Sequence, residues 1–526
     1  MTPSGKQSVG SVWLIGAGPG DPNLITVHGL KLLRRADVVV HDALIDRGLL
    51  ALARREAERI NVGKRSGSHT YTQDQINELL LAQARRGRQV ARLKGGDPYL
   101  FGRGAEEAAF LGRHGIRCRV IPGVTAATAA SCTAGIPLTH RDYASTVTFV
   151  TGHEGPAKGN SAIDYRALAA LVQSGGTCSF YMGMANLASI TAELQRQGLG
   201  PGTPVAIVQS ATLPSQRSLR TTLNRAQRDV HAAGLGAPAI IVVGPVAGMP
   251  PHGLDGFTTR PLFGQRIVIT RARHQAGALA GYLQELGARV LAAPTIRLRL
   301  LDDCRALDRT IGQIGRHDWL ILTSANGAWF LARRLDRLGL DVRLLGSVKV
   351  AAIGPATAQA MSSYLHIRAD LVPGSFVGEA LAAELIGQQA VAGKRVLLLR
   401  NDRARADLPG LLADAGAQVT DQPLYECRRP AKLPQPVLEA LAQGRVDWVT
   451  FTSSQTASNM LALLGERCSL LQGIRIASIG PVTSKTLKQA GFAPHVEADP
   501  YTVQGLVDAL VAYGRRHGPR GDSRAR

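Results

Sequence analysis

Paired cysteines, long apolar runs, aromatic residues and acidic charge are all scarce in this sequence, and each shortage excludes something. Its 526 residues contain six cysteines (Cys118, Cys132, Cys178, Cys304, Cys427 and Cys468), scattered and with no C-x-x-C pair. That spacing argues against a disulfide framework or a structural zinc, and for free thiols in a reducing, cytoplasmic setting. No apolar run approaches the ~18 residues needed to span a membrane, and the opening MTPSGKQSVG lacks the apolar core of a signal peptide. Aromatics make up only 5% of residues, and no basic run is interleaved with them as single-strand binding platforms require. No metal site is expected.

The acidic shortage is the most suggestive. Thirty-nine Asp and Glu face 61 Lys and Arg, a net charge of +22. Nucleic acid, an anionic membrane surface or a strongly acidic small molecule would each suit such a charge. The excess is arginine spread along the chain, and its only dense cluster is Arg515–Arg526. An arginine-rich solvated surface accounts for this without a ligand. A polycarboxylate ligand accounts for it through the match of guanidinium to carboxylate.

With 45% hydrophobic and 19% charged residues, the chain is globular and too long for one core, at roughly 150 residues per domain. The composition breaks at Ala247–Gly264 (AGMPPHGLDGFTTRPLFG), rich in Pro and Gly and without periodicity. The expected organisation is a domain over 8–250, a linker over 251–264, a second domain over 265–514 and a disordered basic tail over 515–526. The first half alternates apolar strands, among them Val12–Ile15, Val38–Val40, Val90–Leu93, Thr177–Tyr181, Val205–Val208 and Ala239–Val243, with amphipathic helices such as Gln73–Arg86 and Ala105–His114. That rhythm predicts an α/β class.

The second half repeats itself. Arg266–Thr270 matches Arg395–Leu399, Asp318–Ser324 (DWLILTS) matches Asp447–Ser453 (DWVTFTS), and Ile353–Thr357 (IGPAT) matches Ile479–Thr483 (IGPVT), at an offset of 126–129 positions. Two copies of a parallel α/β unit predict two similar lobes with a ligand-binding cleft between them.

Three glycine-rich strand-end loops mark the first half: VWLIGAGPGD at 12–21, VARLKGGDPYLFGRG at 90–104 and VIPGVTA at 120–126. Glycines there let backbone groups approach a ligand closely, and three such loops describe a cofactor site on an α/β sheet. The first is no dinucleotide fingerprint: its spacing is G-x-G-x-G, and Pro19 and Pro22 delay the helix that would receive a pyrophosphate.

These loops, with VVVHDALI, VGKRSG, GIPLTHRDYAS, VTGH, YMGM and APAIIVVG in the same order, make residues 12–245 resemble the tetrapyrrole (uroporphyrinogen-III) C-methyltransferases. The resemblance implies a two-lobed tetrapyrrole-methylase fold with S-adenosyl-L-methionine in the cleft between lobes. It places that cofactor against Pro19, Gly95, Gly96, Asp97, Leu100, Thr125, Ala126, Met182, Ala211 and Ala239. Ala211, in QSAT, stands where the family often has glycine. It further implies Asp42 as the catalytic base and Lys64 as the proton donor, substrate contacts from Thr139–Asp142, and a homodimer through the methylase half. Apart from the resemblance, Asp42 reads as a capping or turn carboxylate and Lys64 as a solvated surface charge.

Residues 265–512 resemble uroporphyrinogen-III synthases through RIVITRA, the two repeat pairs, QPLYECRR and YTVQGL. That implies a two-lobed parallel α/β fold that closes hydroxymethylbilane while inverting its last pyrrole, with catalytic Tyr425 assisting the departing hydroxyl. Backbone amides at Thr323-Ser324, Gly354-Pro355, Thr452-Ser453 and Gly480-Pro481 could hold carboxylates. Arg271, Arg403 and Arg405 are either partners of substrate carboxylates or surface charges. Together the halves imply a bifunctional enzyme that makes uroporphyrinogen III and methylates it to precorrin-2, on the sirohaem or cobalamin route. The oxidase and ferrochelatase module that some relatives add has no counterpart in this sequence, so the expected product is precorrin-2. The alternatives are methylation of a later corrin intermediate and a basic nucleotide- or nucleic-acid-binding regulator.

Overall fold

The structure, a computed structural model, describes residues 9–517 except 55, 64–70, 154–162, 251–252, 254 and 405. Lys64 and Arg405 lie outside the described residues. By contact the chain divides into two units, one running to Gln265 and one beginning at Arg266, with Leu283–Arg289 and His517 grouped with the first.

In the first unit, β1 (Ser11–Gly16), β2 (Val38–His41), β3 (Glu58–Asn61), β4 (Val90–Lys94) and β5 (Arg117–Ile121) form a sheet in the order β3-β2-β4-β1-β5. Every pairing in it is parallel. Its central strands are covered on both faces by apolar clusters, which is why they read as unbroken apolar runs. A second sheet, β6 (Val147–Thr151), β7 (Thr177–Tyr181), β8 (Pro204–Gln209), β9 (Arg217–Thr222) and β10 (Ala239–Val243), has the order β6-β7-β10-β8-β9. Only β6 and β7 are parallel; β10 runs against both its neighbours and β9 against β8. The helix Ala126–Ala134 leaves the first sheet after β5 and packs into the core of the second, tying the lobes together.

The second unit also has two five-stranded sheets. Its strands are β11 (Arg266–Ile269), β12 (Arg289–Ala292), β13 (Arg297–Leu300), β14 (Trp319–Leu322), β15 (Lys349–Ala352), β16 (Arg395–Asn401), β17 (Gln418–Arg428), β18 (Trp448–Phe451), β19 (Arg475–Ser478) and β20 (Val496–Glu497). The sheets run β12-β11-β18-β19-β20 and β13-β17-β16-β14-β15. Neither copy of the repeat makes a lobe by itself. Each sheet takes its first two repeat strands from one copy and the rest from the other, so β11 lies beside β18 and β16 beside β14. Apart from β13, antiparallel to β17, the described pairings are parallel.

Two expectations change in detail. Over 255–264 the chain is irregular but packed: Leu262 is buried, and Phe257 meets Phe263 edge-on at 5.6 Å. The last helix continues to His517, beyond the expected start of the tail at 515, because Arg515, Arg516 and His517 suit the negative end of a helix dipole.

Candidate functional site

The three glycine loops meet at the carboxyl end of the first sheet. Gly18 and Gly96 exchange backbone hydrogen bonds of 3.3 and 2.8 Å, both in left-handed backbone at φ +75° and +68°. A Cβ on Gly123 would lie 2.3 Å from the Gly96 carbonyl oxygen, and one on Gly16 would lie 2.5 Å from Gly123. These glycines are demanded by the protein's own packing. Gly95 is not: it is exposed, and a Cβ there would meet nothing within 4 Å. Asp97 locks the loops, its carboxylate accepting from the Gly123 N–H at 3.0 Å and the Tyr99 N–H at 2.8 Å.

The second lobe closes the other side. Thr125 shares a 2.7 Å hydrogen bond with the Tyr181 hydroxyl, which also accepts from the Ala127 N–H at 3.1 Å. Burial pushes the Tyr181 phenol pKa up. Met182 follows directly, 52% exposed. The partly buried Leu100 and Ala126 pack into the core that contains Ala211. Ala239 pairs with Gln209 at the end of β8, and the neighbouring Ser210 N–H bonds the Pro238 carbonyl. The loop containing Pro19 reaches the same place, since the Asp21 N–H bonds Thr212 Oγ1 at 3.0 Å. Hydrogen bonds thus tie the loops that carry Pro19, Asp97 and Thr125 to one another or to the second-lobe residues beside Met182 and Ala211.

Seven non-glycine residues have left-handed φ among those described, and five of them (Phe101, Arg103, Met182, Ser210 and Thr212) stand in these loops. Such backbone strain concentrates at functional sites. Sequence reasoning had no access to it.

Asp42, just past β2, faces this cradle. One carboxylate oxygen takes Arg92 Nη2 at 2.6 Å, and the other accepts the Gly95 N–H at 3.4 Å. Behind it lies a buried charge chain that sequence reasoning missed: Arg92 reaches Glu107 at 3.4 Å, and Glu107 takes Lys94 at 2.8 Å. Burial, and then the Arg92 charge, lower the Lys94 pKa, against the attraction of Glu107 and Asp42. The missed signal was two cations, at i and i+2 on one face of an otherwise apolar strand, which need a buried anion. His140 serves its own loop, its Nδ1 accepting the Asp142 N–H at 3.2 Å, while Arg141 and Asp142 are exposed.

In the second unit, Tyr425 is 3% exposed, stacked on Phe330 at 4.8 Å. Its hydroxyl lies 2.9 Å from Ser324 Oγ, with the Asn326 and Asn401 side chains nearby. Burial pushes its pKa up against the polar influence of those three side chains. Ser324 and Ser453 cap the helices Ala325–Leu338 and Ser454–Leu464, while Gly354 and Gly480 precede the helices Pro355–Leu365 and Pro481–Gln489. These four helix starts follow β14, β18, β15 and β19, and such termini favour anions. Arg403 is exposed. Among the described residues, no group of side chains could hold a metal and no helix is long and apolar enough to cross a membrane.

Comparison with known proteins gives two family matches. Residues 11–227 match the tetrapyrrole (corrin/porphyrin) methylases and residues 277–508 match uroporphyrinogen-III synthase HemD. The chain is 34% identical over 508 residues to the porphyrin biosynthesis protein HemD of Ruminiclostridium josui, covering 96% of this chain and 98% of that protein. It is 49% identical over 245 residues to a siroheme synthase of Pseudomonas putida, covering 46% of this chain and 51% of that one. The chain spans about half the length of the siroheme synthases it matches. Among solved structures, a uroporphyrin-III C-methyl transferase from Thermus thermophilus complexed with S-adenyl homocysteine is 39% identical, covering 45% of this chain and 98% of that one, with a TM-score of 0.38.

Proposed function

Because the chain belongs to two joined families, the tetrapyrrole methylases and the uroporphyrinogen-III synthases, we propose that its halves catalyse successive steps. The second half closes hydroxymethylbilane with inversion of the last pyrrole and loss of water. The first half methylates the resulting uroporphyrinogen III twice to precorrin-2, for the sirohaem or cobalamin route. The positive charge then has an acidic partner.

The observation carrying the methylase reading is the Asp42 carboxylate beside a loop whose Gly95 has no Cβ and no neighbour to exclude one. S-adenosyl-L-methionine, when bound, supplies an electrophilic methyl group on a sulfonium. Main-chain groups of Gly95 and Gly96, with Thr125, Ala126, Met182, Ala211 and Ala239, would hold it, and the open space at Gly95 fits a ligand. Asp97, engaged by two backbone N–H groups, would act by shaping the loop. Asp42, beside that loop, would accept the proton that the methylated pyrrole loses. Arg92 keeps that carboxylate oriented.

For ring closure the chain's contribution is positioning. The helix starts at Ser324, Gly354, Ser453 and Gly480 would bind carboxylates. The Tyr425 hydroxyl, poised among Ser324, Asn326 and Asn401, would hydrogen-bond the departing hydroxyl.

The deciding experiment supplies the full chain with hydroxymethylbilane, with and without S-adenosyl-L-methionine, and follows absorbance and chromatography. Uroporphyrinogen III without the methyl donor and precorrin-2 with it are expected. Formation of the I isomer alone would sink the synthase reading, and methylation of a later corrin in preference to uroporphyrinogen III would sink the methylase reading.

Gly95→Val isolates the cofactor loop. Gly95 is not in left-handed backbone, and its Cβ position is open, so folding should be nearly unaffected. The added side chain fills space assigned to the ligand, and affinity for S-adenosyl-L-methionine by calorimetry should fall by at least ~10-fold, about 1.4 kcal/mol. Unchanged affinity would move the cofactor elsewhere.

A further inference from the structure

We propose that Arg271 binds a carboxylate of the linear tetrapyrrole substrate, an assignment that rests on the ring-closing activity proposed above. The internal repeat supplies the argument through a partner that is missing. Arg271, just past β11, matches Arg400, the next-to-last residue of β16, at the same offset of 129 positions that relates Arg266 to Arg395. Arg400 is buried, and its guanidinium grips both carboxylate oxygens of Asp421 on the neighbouring β17. In the first copy the residue matching Asp421 is Ala292 on β12, which lies beside β11 as β17 lies beside β16.

Arg271 is therefore a partly buried guanidinium with its repeat-mate's carboxylate deleted. It makes no ion pair or hydrogen bond among the described residues, and burial alone acts on its pKa, lowering it, with no nearby anion to oppose that. An unpaired cation withdrawn from water is costly to keep. A guanidinium fork matches the geometry of a carboxylate. Its place, past the carboxyl end of a strand in a parallel sheet, is where open α/β sheets bind ligands. The acetate and propionate side chains of the bilane carry the complementary group, whereas the matching Arg400 of the second copy is already held by Asp421.

The test is steady-state ring closure of hydroxymethylbilane by the full chain and three variants. Arg271→Gln should raise KM by ~10- to 100-fold, the range for a charge-assisted hydrogen-bonded pair, and change kcat less. Arg271→Lys should recover part of that loss, keeping the charge without the fork. Ala292→Asp gives Arg271 the internal partner that Arg400 has, so KM should rise while the melting temperature holds or increases. Methylation of supplied uroporphyrinogen III by the same preparations should be unchanged. A wild-type KM in Arg271→Gln, or in a folded Ala292→Asp if the former fails to fold, overturns the assignment alone. Absence of ring closure in the unsubstituted chain overturns it together with the synthase reading.

Discussion

Asp42→Asn is expected to lower methyl transfer to uroporphyrinogen III by ~10²- to 10⁴-fold, the usual worth of a positioned general base, and to leave S-adenosyl-L-methionine binding largely intact. Asparagine has nearly the same shape. Its carbonyl oxygen can still accept from Arg92 Nη2 or from the Gly95 N–H, which the carboxylate engages at 2.6 and 3.4 Å, so the loop keeps its form. What disappears is the ability to take a proton. The charge on Asp42 also offsets Arg92, only 3% exposed at its side chain, so some loss of stability should accompany the change. Calorimetry with the methyl donor and turnover with uroporphyrinogen III separate the two effects. Turnover within a few-fold of wild type would leave Asp42 only the task of satisfying Arg92.

The parts of the first half that were legible are those in which local pattern and tertiary role agree. β1, β2, β4, β7, β8 and β10 are core strands and show as apolar runs. β3 and β9 are edge strands with half-exposed sequences, ERIN and RSLRTT, and β5, RCRVI, alternates at the other edge. Edges are kept polar to avoid pairing with other chains, which also hides them from an apolar reading. The glycine loops were legible as loops. The distinction between Gly123, fixed by a backbone 2.3 Å from its Cβ position, and Gly95, fixed by nothing in the chain, needs coordinates. So do the left-handed residues Ser210 and Thr212, whose types carry no glycine-like signal.

The repeat in the second half was legible, but the lobes were not its copies. DWLILTS and DWVTFTS are so alike that β14 and β18 would each fit beside either β11 or β16. Similarity shows that two units exist and is silent on which strands pair. The chain exchanges them, with β18 beside β11 and β14 beside β16. The exchange places Tyr425, on β17, next to Ser324 and Asn326, which follow β14 of the other copy. A tyrosine site on one copy thus depends on loops of both.

Glu107→Gln should destabilise the methylase half by about 3–5 kcal/mol, the cost of breaking a buried ion pair from one side. Glu107 is fully buried, and its Oε1 receives Lys94 at 2.8 Å, Gln73 at 3.2 Å and Arg92 at 3.4 Å. Glutamine withdraws the negative charge and can turn N–H groups toward cations that have only donors to offer. Arg92 retains Asp42, but Lys94 loses its only ion-pair partner among the described residues. The pH dependence gives a signature. Burial already holds the Lys94 pKa below its ordinary 10.5, and Glu107 is one of the groups raising it, so the variant should depress it further. Between that depressed value and 10.5 the unfolded chain binds a proton that the folded one does not, so stability rises with pH in that window. The window opens at lower pH in the variant than in wild type, and the deficit should therefore be largest at low pH and narrow as pH rises. Urea titration at several pH values, read by methyl transfer with ring closure as the internal control, measures it. Glu107→Leu combined with Lys94→Met removes both charges and leaves Arg92 with Asp42, and should cost less than Glu107→Gln alone. A Glu107→Gln deficit below about 1 kcal/mol, flat with pH, would mean that water screens the cluster as it does a surface pair, and that Arg92 holds Asp42 without support from behind.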